Sequence, residues 1–552
     1  KITLAQAVDA CKRNGLYRAR APHEVEWDIP AQTGPLPQYA EHEAIALQAA
    51  EEGIVLLKND GHALPVPPST LNVVGEGVYF FQTCAVGAGK INPRYQVDFR
   101  QAVDADPDYT LNHELAAFFQ AEPQGVPKDA LLRRAAEKSD TVVMILVRSS
   151  GENMDNSTAP GEYALTDNEK ALLRALNRHF AKVVLVLNVG YPIAMDFADD
   201  IHVSAILYNG FGGMLAGQAL LNVLAGRTTP SGRLTSTWAK TYDDLPSAGN
   251  FYDCYHNEMQ RYTADFGPHL TTRYDEGVFM GYRYFVTRGR KSAFPFGYGL
   301  SYTTFTETVE SVAYQENADA VVSVRVKNTG SCPGKRVVQL YVGKPRTTID
   351  KPLRELVAFN KTETLQPGEE QSLTLCVDGR CLDVFSAADQ AYLLESGVYT
   401  LYLGEHGENV REIGCFTVPA TIVTRRTQVH MTGERSTPGY SDAPLYPGVE
   451  QLSVKELIRL SCCSGDGWGM EGTGEAGRIA KITAMAIPDY VVADGNSGVN
   501  MKQRNIGMPS GACYAASFNA ELVGEVGRVI GEEARELGIS MILGPGFNLQ
   551  RN

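Results

Sequence analysis

Three short apolar runs constrain the first half of this chain more than anything else in it: Val142-Val-Met-Ile-Leu-Val147, Lys182-Val-Val-Leu-Val-Leu-Asn188 and Val203-Ser-Ala-Ile-Leu-Tyr208. A continuous β-branched run of this length fits a strand buried on both faces, as in a parallel sheet flanked by helices. The stretches between them read as those helices. One covers Lys128 to Lys138. The next opens on a capping box, Thr166-x-x-Glu169, and lines up Leu172, Ala175, Leu176 and His179 on one face. A third runs through Leu220, Val223 and Leu224 and stops at Gly226. Upstream, Leu71-Asn-Val-Val reads as a strand, and the Ala/Glu-rich segment Glu41 to Lys58 as a helix ending in Asn59-Asp60-Gly61. Short apolar strands alternating with helices give an α/β domain with a mainly parallel sheet over 41–245, preceded by an arm, 1–40.

After Pro246 the texture changes. Residues 246–305 form a Tyr-, Phe- and Gly-rich connecting segment. From 306 to 418 the period becomes two: Val322, Val324 and Val326 alternate with Ser323, Arg325 and Lys327, and turn signals recur at Asn328-Thr-Gly, Gln366-Pro-Gly and Glu395-Ser-Gly. That pattern reads as a β-sandwich. Residues 419–447 lack periodicity and read as a linker. From 448 the α/β pattern returns. Strand Tyr490-Val-Val-Ala493 meets Asp494-Gly-Asn-Ser-Gly498, a long helix carries Leu522, Val526, Val529, Ile530 and Leu537, and strand Ile539-Ser-Met-Ile-Leu543 follows.

Composition narrows the partners. The net charge of -14 over 552 residues argues against nucleic acid or an anionic membrane as the main partner. No apolar stretch approaches the roughly 18 residues of a membrane span, and the start, Lys1-Ile-Thr-Leu-Ala, lacks a signal-peptide core. The ten cysteines are scattered without a C-x-x-C pair, which fits a reducing, cytoplasmic setting. The ten histidines are equally dispersed, so no metal site is expected.

Chemistry has to come from what remains. Gly87-Ala-Gly89-Lys90 lacks the first glycine and the Ser/Thr of a P-loop, and Gly75-Glu-Gly77 lacks the third glycine of a dinucleotide fold. There is no G-x-S-x-G elbow. Two carboxylates stand at strand ends: Glu152, where the first apolar run breaks into Arg148-Ser-Ser-Gly, and Asp494. Ligands in open α/β sheets sit beyond the carboxyl ends of strands. Single carboxylates among aromatic and Gly-rich loops suit a neutral polyhydroxylated ligand, although each taken alone reads equally as a solvated loop or turn residue.

The combination is more specific than its parts. Glu52-Gly-Ile-Val-Leu-Leu-Lys-Asn59, Arg148-Ser-Ser-Gly-Glu-Asn-Met-Asp155, Pro230-Ser-Gly-Arg-Leu-Thr235, the Tyr274–Phe285 block and Phe294-Pro-Phe-Gly-Tyr-Gly-Leu-Ser-Tyr302 occur in this order. Asp494-Gly-Asn-Ser-Gly-Val-Asn500, Ser517-Phe-Asn519, Gly531-x-Glu533 and Leu543-Gly-Pro-Gly-x-Asn548 follow. Together they resemble glycoside hydrolase family 3, most closely its β-glucosidases. The resemblance implies a multidomain α/β plus β fold. An α/β sandwich comes first, then a fibronectin type III-like domain, then the first part of a (β/α)8 barrel over 448–552, a reversed order for the family.

It further implies a retaining, exo-acting hydrolase with two carboxylates about 5–5.5 Å apart. Glu152 matches the family's general acid/base and Asp494 its sugar-binding aspartate. The nucleophilic aspartate matches no residue here and is expected beyond Asn552, on following chain or a second fragment. The substrate implied is a small oligosaccharide or glucoside, with no cofactor; a homo-oligomer is compatible. Asn500 stands where the family has a sugar-binding arginine, Asn496 where it has proline, Ala88 where serine is common and Asn153 where glycine is usual. These departures bear on substrate preference and leave open β-xylosidase or another exo-glycosidase. A non-catalytic carbohydrate-binding protein is the reading if no further barrel sequence exists.

Overall fold

The computed structural model describes residues 39–151, 157–250, 274–315, 318–427, 452–462, 476–479 and 490–547. Its first element, α1 (Tyr39–Gly53), ends five residues before the helix expected through Lys58, and Val55–Asn59 is strand β1. The reason is burial. Ile54, Val55, Leu56 and Leu57 are all 0–1% exposed, so the run has no polar face to give a helix, and it pairs antiparallel to β6 with Val55 opposite Tyr208.

The remaining strands of this domain are β2 (Thr70–Val74), β3 (Thr110–Leu111), β4 (Thr141–Arg148), β5 (Lys182–Val189) and β6 (Ala205–Tyr208). Its helices are α2 (Phe99–Ala105), α3 (His113–Ala121), α4 (Asp129–Ala136), α5 (Asp167–His179) and α6 (Ala216–Leu224). The sheet order is β1-β6-β5-β4-β2-β3, parallel except for β1. All eight residues of β4 are buried between β2 and β5, as the apolar run requires. The capping box is complete: Glu169 N donates to Thr166 Oγ1 (3.1 Å) and Thr166 N to Glu169 Oε2 (2.8 Å). Gly226 adopts φ +73°, a left-handed stop that a side chain would strain.

The described part of the connecting segment touches both neighbouring domains: its α7 (Tyr282–Arg288) bonds the β-sandwich, with Arg283 Nε donating to Glu355 (2.8 Å), while its last residues lie against the α/β domain. Leu300 N donates to Leu56 O, and Trp238 N to Phe294 O. The β-sandwich has two main sheets. One is β10 (Glu355–Lys361), β9 (Val337–Gly343), β14 (Gly397–His406) and β15 (Asn409–Val418); the other is β11 (Glu370–Val377), β8 (Ala320–Asn328) and β7 (Phe305–Tyr314). Val322, Val324 and Val326 point into a shared core with Val338, Leu340 and Leu401. A third, small sheet joins β12 (Val384–Ser386), β13 (Ala391–Leu394) and β16 (Ile422–Arg426). The presence of β16 corrects the linker expected from 419. Ile422-Val-Thr has strand chemistry, but its partner β13 lies some thirty residues away in the chain and leaves no local period to read.

The last unit comprises α8 (Val454–Cys462), β17 (Gly477–Ile479), β18 (Tyr490–Asp494), α9 (Gly511–Ala515), α10 (Ala520–Glu536) and β19 (Met541–Leu543). β18 and β19 run parallel with Asp494 opposite Leu543, while β17 is antiparallel to β18. Two faces of α10 are used. Leu522, Val526 and Val529 pack with Ala46 and Ala49 of α1 and with Met214, and Ala534 packs under Val491, Ala493 and Val499.

Candidate active site

β4 ends at Arg148, a buried cation held by a bidentate pair to Glu169 (2.7 and 2.8 Å), with its Nε on the Glu162 carbonyl (3.0 Å). Glu162 in turn accepts the Ser157 amide at 2.6 Å. Both flanks of the segment that carries the expected acid/base are therefore tied down. Glu152 itself, with 153–156, lies outside the described residues. The chain reaches it through Ser150 and Gly151, which lie beside the loop at Val86: Val86 N donates to Ser150 O (2.9 Å), and Gly151 forms a parallel bridge with Val86. A Cβ on Gly151 would lie 2.3 Å from Val86 Cγ2, so only glycine allows this approach.

Asp494 is half-buried at the carboxyl end of β18. Its carbonyl accepts the Asn500 amide at 2.8 Å, folding Asp494-Gly-Asn-Ser-Gly-Val-Asn500 back on itself. Gly498 makes that fold with φ +112°, at a point where a Cβ would lie 2.3 Å from Ile506 O. The Asn496 side chain faces Gly546 on the neighbouring β19 loop. Asn500 Nδ2 donates across to the Gly87 carbonyl at 3.4 Å. The Val86–Gly87 segment thus joins the two predicted halves, with Ser150 and Gly151 on one side and Asn500 on the other. Its resemblance to a phosphate loop has a different meaning here, because Gly87 presents a carbonyl acceptor to Asn500.

Two buried polar anchors hold the last unit against the α/β domain. At the first, Glu533 is 1% exposed and receives Arg94 on both oxygens (3.0 and 2.9 Å), His42 Nδ1 (2.8 Å) and the Ile506 amide (2.6 Å). At the second, Glu52 receives Lys361 Nζ (2.7 Å), Lys335 Nζ (2.8 Å), Gln48 (2.9 Å) and Asn519 (3.2 Å). Burial pushes the Glu52 carboxyl up, but the Lys361 and Lys335 cations outweigh it and hold it at about 2. Burial also pushes Lys361 down, to about 8, against the pull of Glu52. Sequence reading named Glu52 and Glu533 only as motif letters and Glu169 only as a capping residue; the cations they hold, Lys361, Arg94 and Arg148, lie too far along the chain for any local pattern. Among the described residues no cluster of three or more His, Cys, Asp or Glu is placed to hold a metal ion. Asn548 lies outside the described residues.

Residues 54–302 match the glycosyl hydrolase family 3 C-terminal domain, and residues 336–407 match the fibronectin type III-like domain. A β-glucosidase of Ruminococcus albus is 34% identical across 92% of this chain. The chain carries the C-terminal domain of glycoside hydrolase family 3 and is similar to that family's β-glucosidases. It covers 60% of the Ruminococcus protein, and 75% of β-glucosidase A of Butyrivibrio fibrisolvens at 27% identity. The crystal structure of a β-glucosidase from Paenibacillus barengoltzii superposes with a TM-score of 0.79 at 28% identity, covering 94% of this chain and 65% of that one. β-Glucosidase 3B from Thermotoga neapolitana, solved in complex with glucose, gives a TM-score of 0.65 at 30% identity, over 71% of this chain and 56% of that one. The family 3 domain holds β4 and the Glu152 segment, and Asp494 lies outside both matched domains.

Proposed function

We propose that this chain supplies the acid/base side and the first sugar-binding loop of a retaining, exo-acting β-glucosidase. The observation that carries this reading is the Val86–Gly87 segment, hydrogen-bonded to Ser150 on one side and to Asn500 on the other. It supports a cleft between the end of β4 and the end of β18, and the named activities of the relatives support its chemistry. In that cleft Asp494 accepts hydroxyl hydrogens of a terminal sugar. Glu152 donates its proton to the leaving oxygen as an aspartate nucleophile attacks the anomeric carbon. It then removes a proton from the water that releases the sugar. The nucleophile, on this reading, comes from barrel sequence beyond Asn552, either following chain or a second fragment, completing the sheet past β19. Met541 and Leu543 are 46% and 41% exposed on that edge, which supports a further strand there.

The deciding experiment pairs an intact-mass measurement of the protein with proton NMR of the anomer first released from cellobiose and from aryl β-glucosides and β-xylosides. Release of β-glucose by a completed barrel is the expected outcome. Initial release of α-glucose would overturn the retaining mechanism, and faster turnover of the xyloside would move the substrate to pentosides.

A further inference from the structure

Lys361 is the last residue of β10 and Lys335 lies just before β9, so both cations on Glu52 come from the fibronectin type III-like domain. Glu52 belongs to the last turn of α1, in the α/β domain. Lys361 also donates to the Ser517 carbonyl (2.8 Å), and Asn519, which bonds Glu52, caps α10 by accepting the Leu522 amide (3.1 Å). Between them Phe518 sits at φ +48°, its ring edge-on to Phe359 of β10 at 5.1 Å. Three domains therefore meet on one carboxylate.

We propose that Glu52, Lys361 and Lys335 form a positioning latch. Through it the fibronectin type III-like domain fixes the start of α10, and so the placement of Asp494 relative to the end of β4. The mechanical link is the packing of α10 against Val491, Ala493 and Val499, around the strand that ends in Asp494. Net stabilisation is a poor reason for such a pair, because taking both charges out of water costs about as much as their attraction returns. Fixed geometry is what the arrangement supplies. One carboxylate accepts four donors, and a shift of the start of α10 breaks several contacts together. Glu52 and Lys361 are buried, at 5% and 9% exposed, and their effect is exerted through Asp494. The consequence for turnover rests on the glycosidase reading above; the placement of α10 does not.

The test uses the complete protein and the double variant Glu52→Gln/Lys361→Met, which removes both charges and leaves neither buried alone. Hydrogen exchange of amides 511–523 is compared with that of 167–179 in α5, together with kcat and KM on an aryl β-glucoside. We expect at least about tenfold faster exchange at 511–523 with α5 unchanged, and a KM higher by about tenfold with kcat nearly constant, as for a displaced sugar-binding group. Unchanged exchange at 511–523 in the folded double variant would overturn the latch. If the double variant does not fold, Lys335→Met, which keeps the Lys361 contact, decides by the same comparison. A wild type without glycosidase activity would sink the proposed function and leave the exchange result to judge the latch.

Discussion

Gly151 leaves no room for a methyl group: a Cβ there would also lie 2.6 Å from the Val86 carbonyl. Gly151→Ala is expected to push the Val86 loop away and to cost about 1–3 kcal/mol as an overpacked contact, measurable by urea unfolding. Because that loop also receives Asn500, KM for a glucoside is expected to rise in the same variant. Glu152→Gln has a different signature. It removes the proton donor without changing shape, so turnover of an unactivated disaccharide is expected to fall by about 10²–10⁴-fold, with Tm unmoved. Unchanged turnover would remove Glu152 from the acid/base role. Glu152 could be singled out from sequence because a short motif ends an apolar run, and Gly151 is a letter of that motif. The loop at Val86 is marked in the sequence only by an imperfect phosphate-loop pattern and by Ala88. Its importance comes from hydrogen bonds to Ser150 and to Asn500, the latter 413 positions away.

Among the elements, the link between β4 and α5 governs how firmly the acid/base segment is held. Arg148 closes the strand and Glu169 is the third residue of the helix, so one bidentate pair joins the start and the end of the connection. Arg148→Met leaves Glu169 facing a desolvated gap. A loss of about 3–5 kcal/mol is expected, as for other buried pairs stripped of one partner, with the denaturation midpoint as the readout. β4 and α5 were readable because each has its own signature, an unbroken β-branched run and a complete capping box. The expected helix runs past Gly53, where α1 stops, into Ile54-Val-Leu-Leu, which pairing with Tyr208 and Leu207 makes strand β1. β16 was missed for the same reason. Local periodicity records which face of an element is wet, and neither strand acquires its partner locally.

For the whole molecule, the Glu52 junction sets an acid limit. Its carboxyl titrates at about 2 in the folded protein against an ordinary 4.5, so the stability it contributes is complete above about pH 4.5 and is lost as pH falls toward 2. Lys361 works in the opposite direction. Held at about 8 against an ordinary 10.5, it costs stability below pH 8, and that cost is relieved as pH rises from 8 toward 10.5. The expected result is a Tm that drops on acidification from pH 5 to pH 2.5, less steeply in Glu52→Gln than in wild type. Identical slopes would mean that other carboxylates set the limit.

The same junction carries a timetable. Glu52 is made 309 residues before Lys361 and 467 before Asn519, and Arg94 precedes Glu533 by 439. At synthesis rates of about 5–20 residues per second, the α/β domain is complete tens of seconds before the groups that cover it exist. During that interval Ala46, Ala49 and Met214, which finish beneath α10, face water as an unclaimed greasy floor beside a hydrated carboxylate. Assembly is then a late docking of bodies that have already folded. A nascent chain paused between residues 430 and 500 is the species that a chaperone or a protease is best placed to find.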